Sequence, residues 1–200
     1  KNSVEKRDYQ INLASQAIDE NCIVVLPTGL GKTTIALHVI SEYLLKESGV
    51  ILFLAPTRVL VNQHLDFLKK NLTFDDIVLI TGEDSVEKRA NLWNSRIICA
   101  TPEVARNDMG HNVVNSSQFS LVIFDEVHRT TGDYAYSSIA EHFENSSTRI
   151  LGMTATLPSE QEKATEILTR LKISCVAERN ETSPDVKPYI QETNTEWINV

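Results

Sequence analysis

Pro27-Thr-Gly-Leu-Gly-Lys-Thr33 directly follows the apolar run Cys22–Leu26 and opens the amphipathic stretch Thr33–Leu45. An apolar strand, a glycine turn and Lys-Thr at the start of a helix form the layout of a phosphate-binding loop. A polyphosphate presents several negative charges and needs many donors at close range. Gly29 and Gly31 let backbone N–H groups turn inward without a side-chain clash. Lys32 reaches the β- and γ-phosphates, the helix N-terminus adds partial positive charge, and Thr33 offers a hydroxyl to Mg²⁺. Pro27, Thr28, Leu30 and Thr34 complete the loop. The strict pattern has glycine at position 26. Leu26 stands there instead, so the first turn is built differently.

A second apolar run, Leu121–Phe124, ends in Asp125-Glu126-Val127-His128. Carboxylates at the carboxyl end of a buried strand lie where α/β sheets bind ligands. Asp125 is expected to hold Mg²⁺, through water, and Glu126 to orient and polarise the attacking water. Together with Lys32 these are the candidate catalytic residues, with Thr33 and Asp125 as the metal pair and ATP as the nucleotide. His128, three residues after Asp125, suits phosphate sensing or coupling. His38, His64, His111 and His142 are scattered and read as structural.

Composition bounds the rest. At 200 residues and 42% hydrophobic, the chain suffices for one well-buried α/β domain or one domain with an appendage. Net charge is −8, with a sequence pI of about 5.1, so a broad basic patch for nucleic acid is absent. A local groove can still be positive on an acidic protein. Cys22, Cys99 and Cys175 are far apart, lie in or beside apolar runs and read as free buried thiols, in keeping with a reducing intracellular compartment. No apolar run approaches the roughly 20 residues of a membrane helix. The chain begins at Lys1 and stops at Val200 in a strand-like stretch, as a piece of a longer polypeptide would.

Short apolar runs alternate with amphipathic ones. Strands are expected at Cys22–Leu26, Val50–Leu54, Ile77–Ile80, Arg96–Ala100, Leu121–Phe124 and Arg149–Met153. Helices are expected at Asp8–Asp19, Thr33–Leu45, Val59–Leu68 and Glu160–Leu171. Crossovers of this length imply a doubly wound, mostly parallel sheet with helices on both faces. The domain is expected over residues 1–174. Beyond it, 175–200 reads as a linker, polar over Glu178–Pro188, with a possible edge strand at Tyr189–Val200 leading to a further domain.

The ordered series Pro27–Thr33, Ala55-Pro-Thr-Arg58, Thr81-Gly82, Ala100-Thr-Pro-Glu103, Asp125–His128 and Thr154-Ala-Thr156 resembles superfamily 2 helicases of the DEAH-box-like type. Arg129–Tyr136 and Ser183–Tyr189 resemble the archaeal Hef and eukaryotic FANCM/Mph1 group, DNA translocases acting on forks and branched DNA. The resemblance implies a RecA-like first motor domain. It implies that Arg7 and Gln10 read the adenine edge. It also implies that Thr57, Arg58, Thr81, Gly82, Thr101 and Pro102 touch the sugar-phosphate backbone of one strand. Thr154 and Thr156 would couple the two sites. Backbone and hydroxyl donors grip phosphates without reading sequence, which reconciles strand binding with an acidic chain.

In this family, hydrolysis needs arginine fingers from a second RecA-like domain, and nothing after Thr156 resembles one. The 200 residues alone are therefore expected to bind nucleotide weakly and turn it over slowly. The Hef likeness allows a nuclease region in the same polypeptide. It implies a cytoplasmic protein if archaeal and a nuclear one if eukaryotic. A nucleotide-gated duplex-RNA sensor of the Dicer type is the alternative. A non-motor phosphate-loop ATPase is disfavoured by Ala55–Arg58 and Thr154–Thr156.

Overall fold

The computed structural model describes residues 5, 7–130 and 135–194, with side-chain detail to residue 190. Among them lie seven strands: β1 (Cys22–Val25), β2 (Val50–Leu54), β3 (Ile77–Ile80), β4 (Ile97–Ala100), β5 (Phe119–Asp125), β6 (Arg149–Thr154) and β7 (Cys175–Glu178). Every pairing is parallel, and the order across the sheet is β3-β4-β2-β5-β6-β1-β7. The α-helices among the described residues are α1 (Asp8–Asp19), α2 (Lys32–Lys46), α3 (Arg58–Asn71), α4 (Val86–Leu92), α5 (Pro102–Gly110), α6 (Ala135–Glu141), α7 (Gln161–Arg170) and α8 (Lys187–Asn194).

Strand side chains alternate between two cores, as period 2 requires. Cys22, Val24, Ile51, Phe53, Leu121, Ile123 and Met153 join the apolar faces of α1, α2 and α3. Ile23, Leu52, Ile98, Val122 and Phe124 join Trp93, α5, α6 and α7 on the opposite face. Both faces are covered, which is why the strands read as unbroken apolar runs. The expected doubly wound parallel sheet is the observed architecture.

Helices α4, α5 and α6 are not among those expected from the sequence. In α4 no residue is buried, and a polar clasp holds it. Arg89 donates to both Asp108 oxygens at 2.8 Å, and Trp93 Nε1 donates to Asp108 Oδ2 at 2.8 Å. That ties the end of α4 to α5 around a buried carboxylate.

The carboxyl-terminal expectation is corrected. Residues 175–178 are not linker but strand β7, paired with β1 in the register Cys22↔Cys175 to Val25↔Glu178. The edge strand proposed for Tyr189–Val200 is helix α8 as far as Asn194, and residues 195–200 lie outside the described ones. The polar stretch between is an ordered turn. Arg179 donates to Asp185 (2.9 and 3.2 Å), and Asn180 bonds Thr182 and Ser183. Loose alternation misled at 189–194 because Tyr189 and Ile190 pack on the α1–α3 core from a helix.

Gly152 in β6 marks a close approach. A Cβ there would sit 2.9 Å from Val127 Cγ2 and 3.0 Å from Ile23 Cγ1. Val127 is fully buried and is accommodated by the missing side chain opposite. Gly152→Ala should destabilise the fold by roughly 1–3 kcal/mol through overpacking. Val127→Ala in the same molecule should recover part of it. Chemical denaturation of the two single variants and the double variant checks this through a non-additive cycle.

Candidate nucleotide and strand-contact site

Parallel strands present all their carboxyl ends at one edge, and the strand order divides that edge in two. The β5-β6-β1 half carries Asp125-Glu126, Thr154 and the phosphate loop. The β3-β4-β2 half carries Thr81-Gly82, Thr101-Pro102 and Thr57-Arg58. Residues scattered over more than a hundred positions thus form two adjoining groups.

The phosphate loop leaves β1 and enters α2 through two left-handed residues, Gly29 (φ 88°) and Gly31 (φ 89°). Only glycine adopts these angles freely. At Gly31 a Cβ would also fall 2.3 Å from Gln10 Nε2. Lys32 is half-buried, and its Nζ donates to Leu26 O at 2.9 Å. Desolvation lowers the pKa of its ammonium, opposed by the nearby charges of Asp125 and Glu126. The lysine therefore lies within electrostatic reach of both carboxylates. Pro27, Thr28 and Leu30 line the turn, and Thr33 and Thr34 open the first turn of α2 half-buried.

Gln10 and Arg7 are placed less simply. Gln10 is buried; its Nε2 donates to Leu30 O (3.1 Å) and to Tyr9 Oη (3.3 Å), while Tyr9 Oη donates to Leu30 O (2.7 Å). The side chains of α1 therefore brace the loop. Gln10 Oε1 is buried without a hydrogen-bond partner. Arg7 pairs with Glu5 at 3.2 Å and stacks on the Tyr189 ring at 4.9 Å. Tyr189 meets Tyr9 edge-on, with ring centres 5.6 Å apart. Tyr189, expected at the start of an edge strand, thus packs on Tyr9 of α1, the helix that braces the loop.

Asp125 ends β5 and is buried. Its Oδ1 accepts from the Glu126 N–H (3.0 Å), its carbonyl accepts from Tyr136 Oη (2.7 Å), and its Oδ2 meets His64 Nε2 at 2.8 Å. Glu126 takes a left-handed backbone (φ 55°, ψ 48°). This is an uncommon cost for a non-glycine residue, and such strain concentrates at functional sites. The half-buried carboxylate of Glu126 lies 3.4 Å from His128 Nδ1. His128 Nδ1 also meets Thr154 Oγ1 at 3.1 Å. That hydroxyl donates to Thr156 O (2.7 Å), so it accepts from the ring, and Nδ1 carries the proton. The Thr154 carbonyl accepts the Leu26 N–H at 3.0 Å. Polar contacts thus run unbroken from Glu126 through His128 and Thr154 to Leu26 and Lys32, and Thr156 joins them by its N–H to Thr154 Oγ1 (3.3 Å).

On the other half, acidic groups occupy the donors. Arg58 donates to both oxygens of Glu83, at 2.5 and 2.9 Å. Thr81 offers its N–H and hydroxyl to Asp84 Oδ2 at 3.2 and 3.0 Å. Thr57 Oγ1 caps α3 by accepting the Leu60 N–H at 3.3 Å. Thr101 precedes Pro102 at the first turn of α5, and Gly82 is exposed. Pro56, Pro102 and Arg129 line a shared cleft of about 100 Å³. Arg129 opens the Hef-like signature, but the sequence reading gave it no site role. The neighbouring stretch Thr131–Tyr134, part of the Hef-like signature, lies outside the described residues. Among the described residues no group of three or more His, Cys, Asp or Glu side chains forms a metal site, and no helix is long and apolar enough to cross a membrane.

A model of the DEAD/DEAH box helicase family matches residues 7–164. MJ1505 of Methanocaldococcus jannaschii, which bears the name of an ATP-dependent RNA helicase, is 44% identical over 191 residues, or 94% of this chain and 24% of its own. The ATP-dependent DNA helicase MPH1 of Coccidioides immitis is 36% identical over 204 residues, or 99% of this chain and 18% of its own. The crystal structure of the Pyrococcus furiosus Hef helicase domain superposes with a TM-score of 0.89 at 39% identity, covering 92% of this chain and 40% of that one. The chain thus spans about a quarter or less of these curated relatives and has the RecA-like fold of the first helicase lobe. Because the family match runs from the start of α1 into α7 and takes in both halves of the functional edge, the chain belongs to the DEAD/DEAH box helicase family.

Proposed function

We propose that the chain is the ATP-binding lobe of a DNA-stimulated motor that acts on forks or branched DNA, inside the cell. The convergence of Lys32 with Asp125 and Glu126 at one sheet edge, where the lysine feels both carboxylates, carries the reading. The surroundings fit ATP. The loop is cradled by two left-handed glycines, with open space where a Gly29 Cβ would stand. The orphaned Gln10 Oε1 is a buried acceptor that an adenine amino group would satisfy.

In the bound state Lys32 exchanges its Leu26 carbonyl for phosphate oxygens. Thr33 and Asp125 suit Mg²⁺, which commonly takes one or two protein oxygens alongside phosphates and waters. When bound there, Mg²⁺ supplies neutralisation of charge on the transferring phosphoryl group. Glu126 holds the attacking water, its direction set by the left-handed backbone and by His128. His128, Thr154 and Thr156 relay the state of the phosphates to the strand side. An arginine from a second RecA-like lobe would complete the site.

DNA rather than RNA is supported by the name of the MPH1 relative and by the Hef likeness, whereas the name of the M. jannaschii relative favours RNA. Matched fork DNA and RNA duplexes, titrated against the intact protein, separate the two. Tighter binding and greater stimulation by DNA are expected. A preference for RNA would favour the duplex-RNA sensor.

Lys32→Ala should weaken ATP binding roughly 10- to 100-fold, by loss of a charge-assisted contact; unchanged affinity in calorimetry would refute the phosphate assignment. Glu126→Gln should leave ATP affinity within about threefold while lowering DNA-stimulated turnover of the intact protein by at least about 100-fold; normal turnover would remove Glu126 from water positioning. Glu83 competes with phosphate for Arg58. Glu83→Gln should therefore tighten binding of a single-stranded oligonucleotide a few-fold, with the largest gain at low salt. Weaker binding, measured by fluorescence anisotropy across a salt series, would contradict the competition.

A further inference from the structure

We propose that His64 is a positioning residue that fixes the Asp125 carboxylate and ties it to the helix of the strand-contact face; this rests on the nucleotide reading of Asp125. The sequence alone marked His64 as one scattered histidine among several. In the structure its Nε2 lies 2.8 Å from Asp125 Oδ2, with side-chain exposures of 9% and 7%. Because a carboxylate only accepts, Nε2 carries the proton and donates.

The ring is itself held. Phe53 packs against it with centres 4.4 Å apart and planes inclined by 32°. The other contacts of Asp125 come from its own half of the sheet, from the Glu126 N–H and from Tyr136. His64 comes from α3, which crosses from the strand-contact half. The buried positions around it on α3 are Val61, Leu65 and Leu68. A histidine–carboxylate pair in that row costs desolvation that the pairing has to offset, and an apolar pair in place of both His64 and Asp125 would pack at least as stably. Stability therefore explains the residue poorly; orientation of a ligand carboxylate explains it well.

The second half of the inference follows from helix rigidity. Thr57 caps α3 and Arg58 opens it, less than two turns before His64, or roughly 10 Å along the axis. A phosphate that draws Arg58 away from Glu83 pulls on the same rigid element that holds Asp125. This path is separate from the His128–Thr154 relay and reaches the other carboxylate.

The test uses the intact protein carrying His64→Gln or His64→Asn. Glutamine places an amide donor close to the reach of Nε2, whereas asparagine falls short. Two quantities are read: the Mg²⁺ concentration that gives half-maximal affinity for a fluorescent ATP analogue, and the ratio of oligonucleotide affinities with and without a non-hydrolysable ATP. His64→Asn should raise the first about tenfold or more and bring the second close to one, while His64→Gln stays within about threefold of the unsubstituted protein on both. An unchanged Mg²⁺ requirement or an unchanged ratio in His64→Asn would overturn the proposal, as would equal impairment of the two variants. Absence of Mg²⁺-dependent binding in the unsubstituted protein would remove the nucleotide reading, and this inference with it.

Discussion

Parallel pairing is the constraint on which the rest depends. With every strand running the same way, each loop that carries chemistry leaves the sheet at one edge. The order β3-β4-β2-β5-β6-β1 then sorts those loops into the half proposed for strand contact and the half proposed for the nucleotide, which meet at β2 and β5. No long-range steering of individual side chains is needed. Burial of both faces fixes the registers, and the registers bring Asp125, Thr154 and Leu26 side by side.

At this edge, polar groups hold one another in place. Lys32, Thr154, His128 and Glu126 form a connected set. Arg58 and Thr81 are already satisfied by Glu83 and Asp84. Buried polar groups cost free energy unless paired, so Asp125 and Thr154 carry partners before any ligand arrives, whereas Arg58 and Glu83 form an exposed pair and Gln10 Oε1 stands without a partner. Ligand binding is then an exchange of partners. That is a natural way for an acidic protein to bind a polyanion selectively: few cations are needed, and those present are released by a competitor in the right place.

Much of this was legible in the sequence, for identifiable reasons. Apolar runs such as Cys22–Val25 and Ile51–Leu54 are buried on both faces, so they announce themselves. The phosphate loop and the acidic strand end rest on residue types that few other arrangements require. Other features left no local trace. Helix α4 has no buried residue and is held by the Arg89–Asp108–Trp93 clasp, a tertiary fact. Strand β7 is short and half-exposed at the sheet edge, so its composition resembles a linker. The contact of His64 with Asp125 was not legible because the partner lies 61 positions away. Tyr189 was taken for strand because a short amphipathic helix at the end of a chain shows too few turns to reveal its period.

The central claim is that a magnesium nucleotide lies between the loop of β1 and the carboxyl end of β5. A crystal of the intact protein grown with a non-hydrolysable ATP analogue and Mn²⁺ in place of Mg²⁺ addresses it directly through the anomalous signal of the metal. The account predicts one manganese peak bridging the analogue's phosphates to the Thr33 hydroxyl and, directly or through water, to Asp125. A triphosphate bound elsewhere, or a manganese peak remote from both side chains, would contradict it.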